Sequence, residues 1–389
     1  MEFLGAVGGA TGSLLLGYLV PFLFVLTVVV FIHEMGHFLV GRWCGVGVTA
    51  FSIGFGPELV GWNDRHGTRW KISAIPLGGY VKFAGDMNGA SVPDPETMAR
   101  MSAAERAISF HHQNVAKRAA IVAAGPIANF LLAIVVFAGI AYVSGRQVLS
   151  PRIESVQAES AADRAGFESG DLVLAIDGRT ITSFADMQRI ISASAGDVLT
   201  VEVERGGQPV TLQATPDVRE TETPFGKQRI GLLGLQGSKD PNDVRRVTYG
   251  PVQSLGIGVY ETWYVVERTF DYLGKLIVGR ESADQLSGPI RIAQVSGQVA
   301  TLGGIAALIS LVAVLSVSIG LINLFPIPLL DGGHLLFYAI EAARGRPLSD
   351  RAQEIGFRIG LAIVVMLMLF ATWNDITHLV GTSFTAPGT

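Results

Sequence analysis

Residues 31–40 read Phe-Ile-His-Glu-Met-Gly-His-Phe-Leu-Val, and Leu14 to Val40 around them holds no other charged residue. The run is long enough for a membrane-spanning helix, which needs about 20 apolar residues. On such a helix His33 and His37 fall one turn apart on one face. That spacing lets two imidazoles hold one Zn²⁺, with Glu34 beside it as general base. Hydrocarbon tolerates ionisable groups badly, so two histidines and a glutamate at that depth need a reason. A metal that activates water is a good one.

Working outward, three more apolar stretches follow. The four spans are expected at about 14–40, 119–143, 304–325 and 359–373, the last short for a span. The fold class is therefore a polytopic α-helical membrane protein with four transmembrane helices and inserted β-rich parts. The loop 41–118 carries nine Lys/Arg against six Asp/Glu, the segment 144–303 sixteen against twenty, and the loop 341–358 four against three. The two more basic loops are expected in the cytoplasm, and the long acidic segment and both chain ends outside. No Lys or Arg precedes Arg42, so the N-terminus is not expected to be a cleavable signal peptide.

Within the first loop, Phe51 to Trp62 and Thr68 to Phe83 alternate in polarity and read as a β-hairpin with its turn at 64–67. Close to a metal, its edge could receive an extended peptide, or it could simply cover the loop. The long segment opens as a compact β-rich module. Pro151 to Val156 reads as a strand, Ala161 to Gly166 as a short helix ended by Gly, and Gly170 to Gly178 as a turn, a buried strand and a second turn. Val198 to Arg205 and Pro209 to Ala214 form a hairpin around Gly206-Gly207. Residues 219–243 read as polar loop apart from Ile230 to Leu235, with a hinge at Asp240 to Asp243. Residues 244–300 are rich in Tyr and Trp and suit a membrane-surface helix, packing on the module being the alternative.

A catalytic zinc site has three protein ligands and an open position for water. The third apolar stretch ends Asn323-Leu-Phe-Pro-Ile-Pro-Leu-Leu-Asp-Gly-Gly-His334. Asp331 is a lone carboxylate at the cytoplasmic end of a span, the end where the His pair also lies, and is the expected third ligand. A carboxylate also partly neutralises Zn²⁺ in a low-dielectric site. His334, one turn on, is the rival. Pro326 and Pro328 break the helix there, which a membrane allows only where protein or a water-filled cavity satisfies the backbone. Asn323 could donate a hydrogen bond to an oxyanion, or merely tie helices together. The second span opens Gly125-Pro126-Ile-Ala-Asn129, where small residues permit close helix approach and Asn129 reads as packing glue. Cys44, the one cysteine, reads as a buried inert thiol rather than a ligand, and it excludes an internal disulfide. His66, His111, His112 and His378 are expected in solvated loops or tails. A net charge of −4 with no basic domain argues against nucleic acid as a partner.

At His33-Glu34-x-x-His37, Gly125-Pro126-x-x-Asn129 and Asn323-x-x-Pro326-x-x-x-x-Asp331-Gly332 the chain resembles the site-2 protease family of intramembrane zinc metalloproteases, RseP type (regulator of sigma-E protease). The resemblance implies one Zn²⁺ per chain, held by His33, His37 and Asp331, with Glu34 as base and Asn323 assisting; Asn129, Pro326, Gly125 and Pro126 would support substrate or structure. Residues 145–217, with Ala165-Gly-Phe-x-x-Gly-Asp171 and Ile176-Asp-Gly178, look like a periplasmic PDZ domain taking a C-terminal peptide or an ectodomain remnant. The hairpin looks like the family's membrane-associated β-loop, and 218–303 like its membrane-surface region. The two catalytic membrane parts are then 1–143 and 304–389. Close relatives often carry two PDZ domains in tandem; the pattern occurs once here. The implied setting is the bacterial inner membrane, with the active site near its cytoplasmic side. The implied substrates are single-span proteins such as anti-sigma factors or remnant signal peptides, cut in regulated intramembrane proteolysis. Two other readings compete: a membrane-anchored metalloprotease that cuts loops, and a PDZ-bearing adaptor with a structural metal. Placement of the motif inside the apolar run speaks against the first, and Glu34 beside the ligands against the second.

Overall fold

A computed structural model describes residues 15–89, 95–223, 226–238, 244–283 and 286–384. Two compact units emerge: residues 1–139, 255–271 and 287–389 form one, and 140–254 with 272–286 the other.

The first unit is built on helices Val20–Trp43, Val115–Ser144, Pro289–Leu324 and Asp350–Phe384. Each contains a stretch long and apolar enough to cross a membrane, with mean hydropathies of 2.3, 2.4, 2.7 and 2.2. Val25 and Val29 of the first pack on Val295, Leu308, Leu311 and Val312 of the third. Gly36 lets the second helix approach closely, since a Cβ there would meet the Ala124 carbonyl oxygen.

Two helices run beyond the expected spans. Pro289–Leu324 starts fifteen residues early, and Gly304 (φ 61°, ψ −157°) interrupts it where the apolar stretch was expected to begin. The last candidate span is Arg351–Thr377 rather than 359–373. The polar residues that marked its expected end remain helical for a physical reason. Asp375 is buried and accepts hydrogen bonds from the Gly288 and Arg291 backbone N–H groups (2.9 and 3.1 Å). It therefore satisfies donors that the start of helix Pro289–Leu324 leaves unpaired.

The expected hairpin is more folded than its sequence suggests. Strands Val48–Asn63 and Arg69–Phe83 bend, so that residues 50–53 pair on one side with 69–72 and on the other with 79–82. The result is a curled sheet in the order 58–63, 69–73, 50–53, 79–83. Gly54 (φ 89°) makes one bend, where a Cβ would press on the Ser73 and Ile75 carbonyl oxygens. Phe51 stacks on Trp70 (4.4 Å), and Phe38 of the first helix meets both rings edge-on. This aromatic cluster fixes the sheet to the helix that carries the histidines.

The second unit holds a four-stranded antiparallel sheet in the order Arg179–Thr180, Leu172–Ile176, Leu199–Arg205, Gln208–Ala214. Helices Ala161–Ala165 and Phe184–Ala193 accompany it, capped by the Ser160 and Ser183 hydroxyls. The module does not stop at 217. Asp217–Thr223 pairs with Gly226–Leu232, Leu235–Gly237 with Ile153–Val156, and Val244–Val247 with Arg146–Leu149. Leu233 is part of its core. The hinge expected at Asp240 to Asp243 lies outside the described residues. Helix Pro251–Ile277, in the aromatic stretch, exposes Val252, Leu255, Val259, Tyr260 and Trp263 at helical spacing.

Candidate metal centre

His33 and His37 are both buried on helix Val20–Trp43, their Nε2 atoms 3.2 Å apart. Asp331 Oδ2 lies 3.1 Å from His33 Nε2 and 3.5 Å from His37 Nε2. The aspartate arrives by an irregular route. Helix Pro289–Leu324 ends before Pro326, Leu329 takes a positive φ of 96°, and a new helix starts at Asp331 itself. Gly332 permits the tight reversal, because a Cβ there would meet the Leu324 and Phe325 carbonyl oxygens.

The imidazoles are oriented by what their other nitrogens touch. His37 Nδ1 is 2.8 Å from the Ile121 carbonyl oxygen, so in the neutral ring Nδ1 carries the proton and Nε2 the lone pair. His33 Nδ1 faces the Asn129 amide nitrogen at 3.4 Å, while the buried Asn129 Oδ1 has no hydrogen-bond partner. Turning that amide by 180° puts Oδ1 against His33 Nδ1, where it accepts the ring proton; the two orientations are nearly indistinguishable by shape. Both Nε2 lone pairs then point at the buried Asp331 Oδ2, which itself lacks a hydrogen bond. Three acceptors converge with no donor among them, an arrangement that a cation completes. The space is kept by Gly125, where a Cβ would meet His37 Nε2 and His33 Cε1. Two nitrogens and one carboxylate oxygen within 4.8 Å of one another suit zinc with a position left open.

A cavity of about 190 Å³ adjoins these atoms and is lined also by Glu34, Asn323, His334, Val81 and Phe83. The structure thus gathers His33, Glu34, His37, Asn323 and Asp331 around one cavity. Asn129 and Gly125 stand against the imidazoles. Pro126 sits inside helix Val115–Ser144, and Pro326 in the break before Asp331. His334 faces the cavity but is not among the three clustered ligands. Cys44 is a half-buried free thiol, and His66 and His112 are exposed. His111 departs from its expected solvated state: its Nε2 is 2.9 Å from the buried Asp86, which also accepts from the Phe83 backbone N–H. A buried carboxylate draws in the nearest donor, and the loop folds to supply it. The His378 side chain lies outside those described.

The family model for Peptidase family M50 matches residues 21–367. A provisionally named zinc metalloprotease of Agrobacterium fabrum is 52% identical over 97% of this chain and 100% of its own length. Metalloprotease MmpA of Caulobacter vibrioides is 42% identical, over 92% of this chain and 95% of that protein. Among solved structures, the PDZ domain of the SdrC-like protein from Listeria innocua aligns with 23% of this chain at 19% identity, TM-score 0.19. The match from Pro21 to Leu367 takes in both histidines, Glu34 and Asp331, and with full-length relatives of this kind the chain belongs to Peptidase family M50, as a zinc metalloendopeptidase.

Proposed function

We propose that this protein hydrolyses peptide bonds within the transmembrane segments of single-span proteins, after a first cut has removed their ectodomain. The observation that carries the reading is the convergence of His33, His37 and Asp331 beside Glu34 on helices apolar enough to lie in a membrane. When bound, zinc supplies Lewis acidity to water and to the scissile carbonyl. Glu34, in the same cavity, takes the proton from water and delivers it to the leaving amine. Asn323 donates a hydrogen bond to the oxygen on which negative charge develops. Asn129 and the Ile121 carbonyl hold the two imidazoles in the ligating tautomer. A helical peptide bond is shielded, so the substrate must unwind. Residues 79–83 offer it an edge, since among the described residues they pair only with the strand on their other side. Gly79 lies beside Glu34: a Cβ there would be 3.1 Å from Glu34 Cγ.

In this reading residues 145–217 form a PDZ domain that meets a substrate's C-terminal peptide or ectodomain remnant. Helix Pro251–Ile277 lies on the membrane surface. The charge bias of the loops favours the bacterial inner membrane with the site near the cytoplasmic face and the module in the periplasm. Anti-sigma factors and remnant signal peptides are the substrate classes in view. The test is to purify the parent and Glu34→Gln in detergent and measure zinc and cleavage of a single-span substrate lacking its ectodomain. About one zinc in each, with cleavage inside the span only by the parent and a loss of about 10²–10⁴-fold in the variant, is expected. Cleavage only in loops outside the span would overturn the intramembrane reading.

A further inference from the structure

His334 has an imidazole that nothing in the proposed zinc site employs. It follows Asp331 by one helical turn, so both side chains emerge on the same face of helix Asp331–Arg344. It lines the cavity that also holds Glu34 and Asn323. Its ring rests on Phe357 and Tyr338, with centroids 5.4 and 6.4 Å away. Both neighbours pack on the ring at tilted angles. Among the described residues its side chain makes no hydrogen bond. Its nitrogens are not among the buried atoms left without a partner, so they open onto the cavity, where a group that enters can meet them.

We infer that His334 donates a hydrogen bond to the oxyanion formed at the scissile carbonyl, making it a second donor in the cavity that Asn323 also lines. The inference rests on the proteolytic reading of this site. Burial pushes the imidazole below its ordinary pKa, so the ring is neutral at pH 7 and adds no positive charge beside a dication. A neutral ring retains one N–H, which is what an oxyanion requires. In the ground state the carbonyl oxygen is a weaker acceptor, so the bond strengthens as charge develops and lowers the barrier more than it tightens substrate binding.

The experiment uses the full chain in detergent and compares the parent with His334→Phe, which refills the aromatic nest, and His334→Gln, which restores an N–H donor. Zinc content, kcat and KM are measured, together with affinity for a phosphinic peptide and for the hydroxamate of the same peptide. The phosphinate mimics the tetrahedral, charged state; the hydroxamate grips the metal in a planar mode. Expected for His334→Phe are about one zinc per chain, kcat down about 10²-fold and KM within about 3-fold. Phosphinate affinity should fall in step with kcat while hydroxamate affinity holds, and His334→Gln should recover part of both losses. Loss of zinc in His334→Phe would overturn the inference and make His334 a ligand. Equal weakening of both inhibitors, or a change confined to KM, would reduce it to a packing residue. If the parent itself cuts no membrane segment, the proteolytic reading fails, and the inhibitor ratio with zinc content still reports on His334.

Discussion

Two aspartates, one in each unit, have opposite fates. Asp171 in the β module is fully satisfied: Arg205 donates to both its oxygens at 2.8 Å, and the Glu168 backbone N–H adds a third bond at 2.9 Å. Asp331 presents its buried Oδ2 to two imidazole nitrogens and has no hydrogen bond for it. The difference separates structure from chemistry. A buried acid with both oxygens engaged holds a turn in place, whereas one left open among other acceptors is a site prepared for a cation.

Asp331→Asn is the harshest test of that contrast. The amide keeps the size of the side chain and removes the charge. Zinc should fall from about one per chain to near zero, and cleavage by more than about 10³-fold. Metal analysis of the purified protein decides it; a variant that keeps its zinc would mean that Asp331 is not a ligand. Gly125→Val attacks the same site without touching a ligand. Its side chain would occupy the space beside His37 Nε2 and His33 Cε1, so zinc should again be lost, and a variant that loads normally would show that the cradle is not needed.

A milder change addresses the support around the ligands. Asn129→Leu preserves bulk and removes the amide that faces His33 Nδ1. Zinc affinity should fall about 10–100-fold, as when outer partners of ligating histidines are lost. Competition with a chelator of known affinity measures it. An unchanged affinity would return Asn129 to the packing role that its sequence context suggested.

That example marks where sequence stops being legible. His33, Glu34 and His37 are read directly because helical period converts a spacing of four into one face. Asp331 is found as a lone acid beside a broken helix. Asn129 contributes through a contact 96 residues away in the chain, to His33, and nothing local distinguishes it from an amide tying two helices together. Asp375 is similar: it reads as the end of a span until its two bonds to the start of another helix are seen. The module's last strands failed to show for a related reason. Residues 217–229 alternate charged and polar side chains with few apolar ones, and Leu235–Gly237 pairs with a strand some eighty residues earlier. Strand patterns are legible when one face is buried, and much less so where pairing alone holds the segment. The curled sheet of 48–83 was half visible: alternation gave two strands, but the bends at Gly54 and Gly78 created a second register that no period records.

Arg205→Met gives the smallest expected effect on chemistry and completes the contrast. It leaves Asp171 buried and unpaired, which should cost the module about 3 kcal/mol, with zinc content and Glu34-dependent cleavage of a span lacking an ectodomain unchanged. Proteolytic nicking between 145 and 247 in the full chain reports the module's opening. The pH dependence sharpens the point. Burial by itself would raise the Asp171 pKa, but the two Arg205 bonds and the Glu168 N–H outweigh it and hold the carboxyl below its ordinary value. Its stabilising contribution is therefore complete above the unfolded-state value of about 3.9 and is lost as pH falls through the lower folded value. In the parent, nicking should stay low down to about pH 4 and rise below it. In Arg205→Met that pairing is gone and burial favours the neutral acid, so nicking should already be higher near pH 7 and should ease rather than rise as pH falls through the carboxyl's titration. Identical pH profiles in the two proteins would mean that the Arg205 pairing does not set the acid stability of the module.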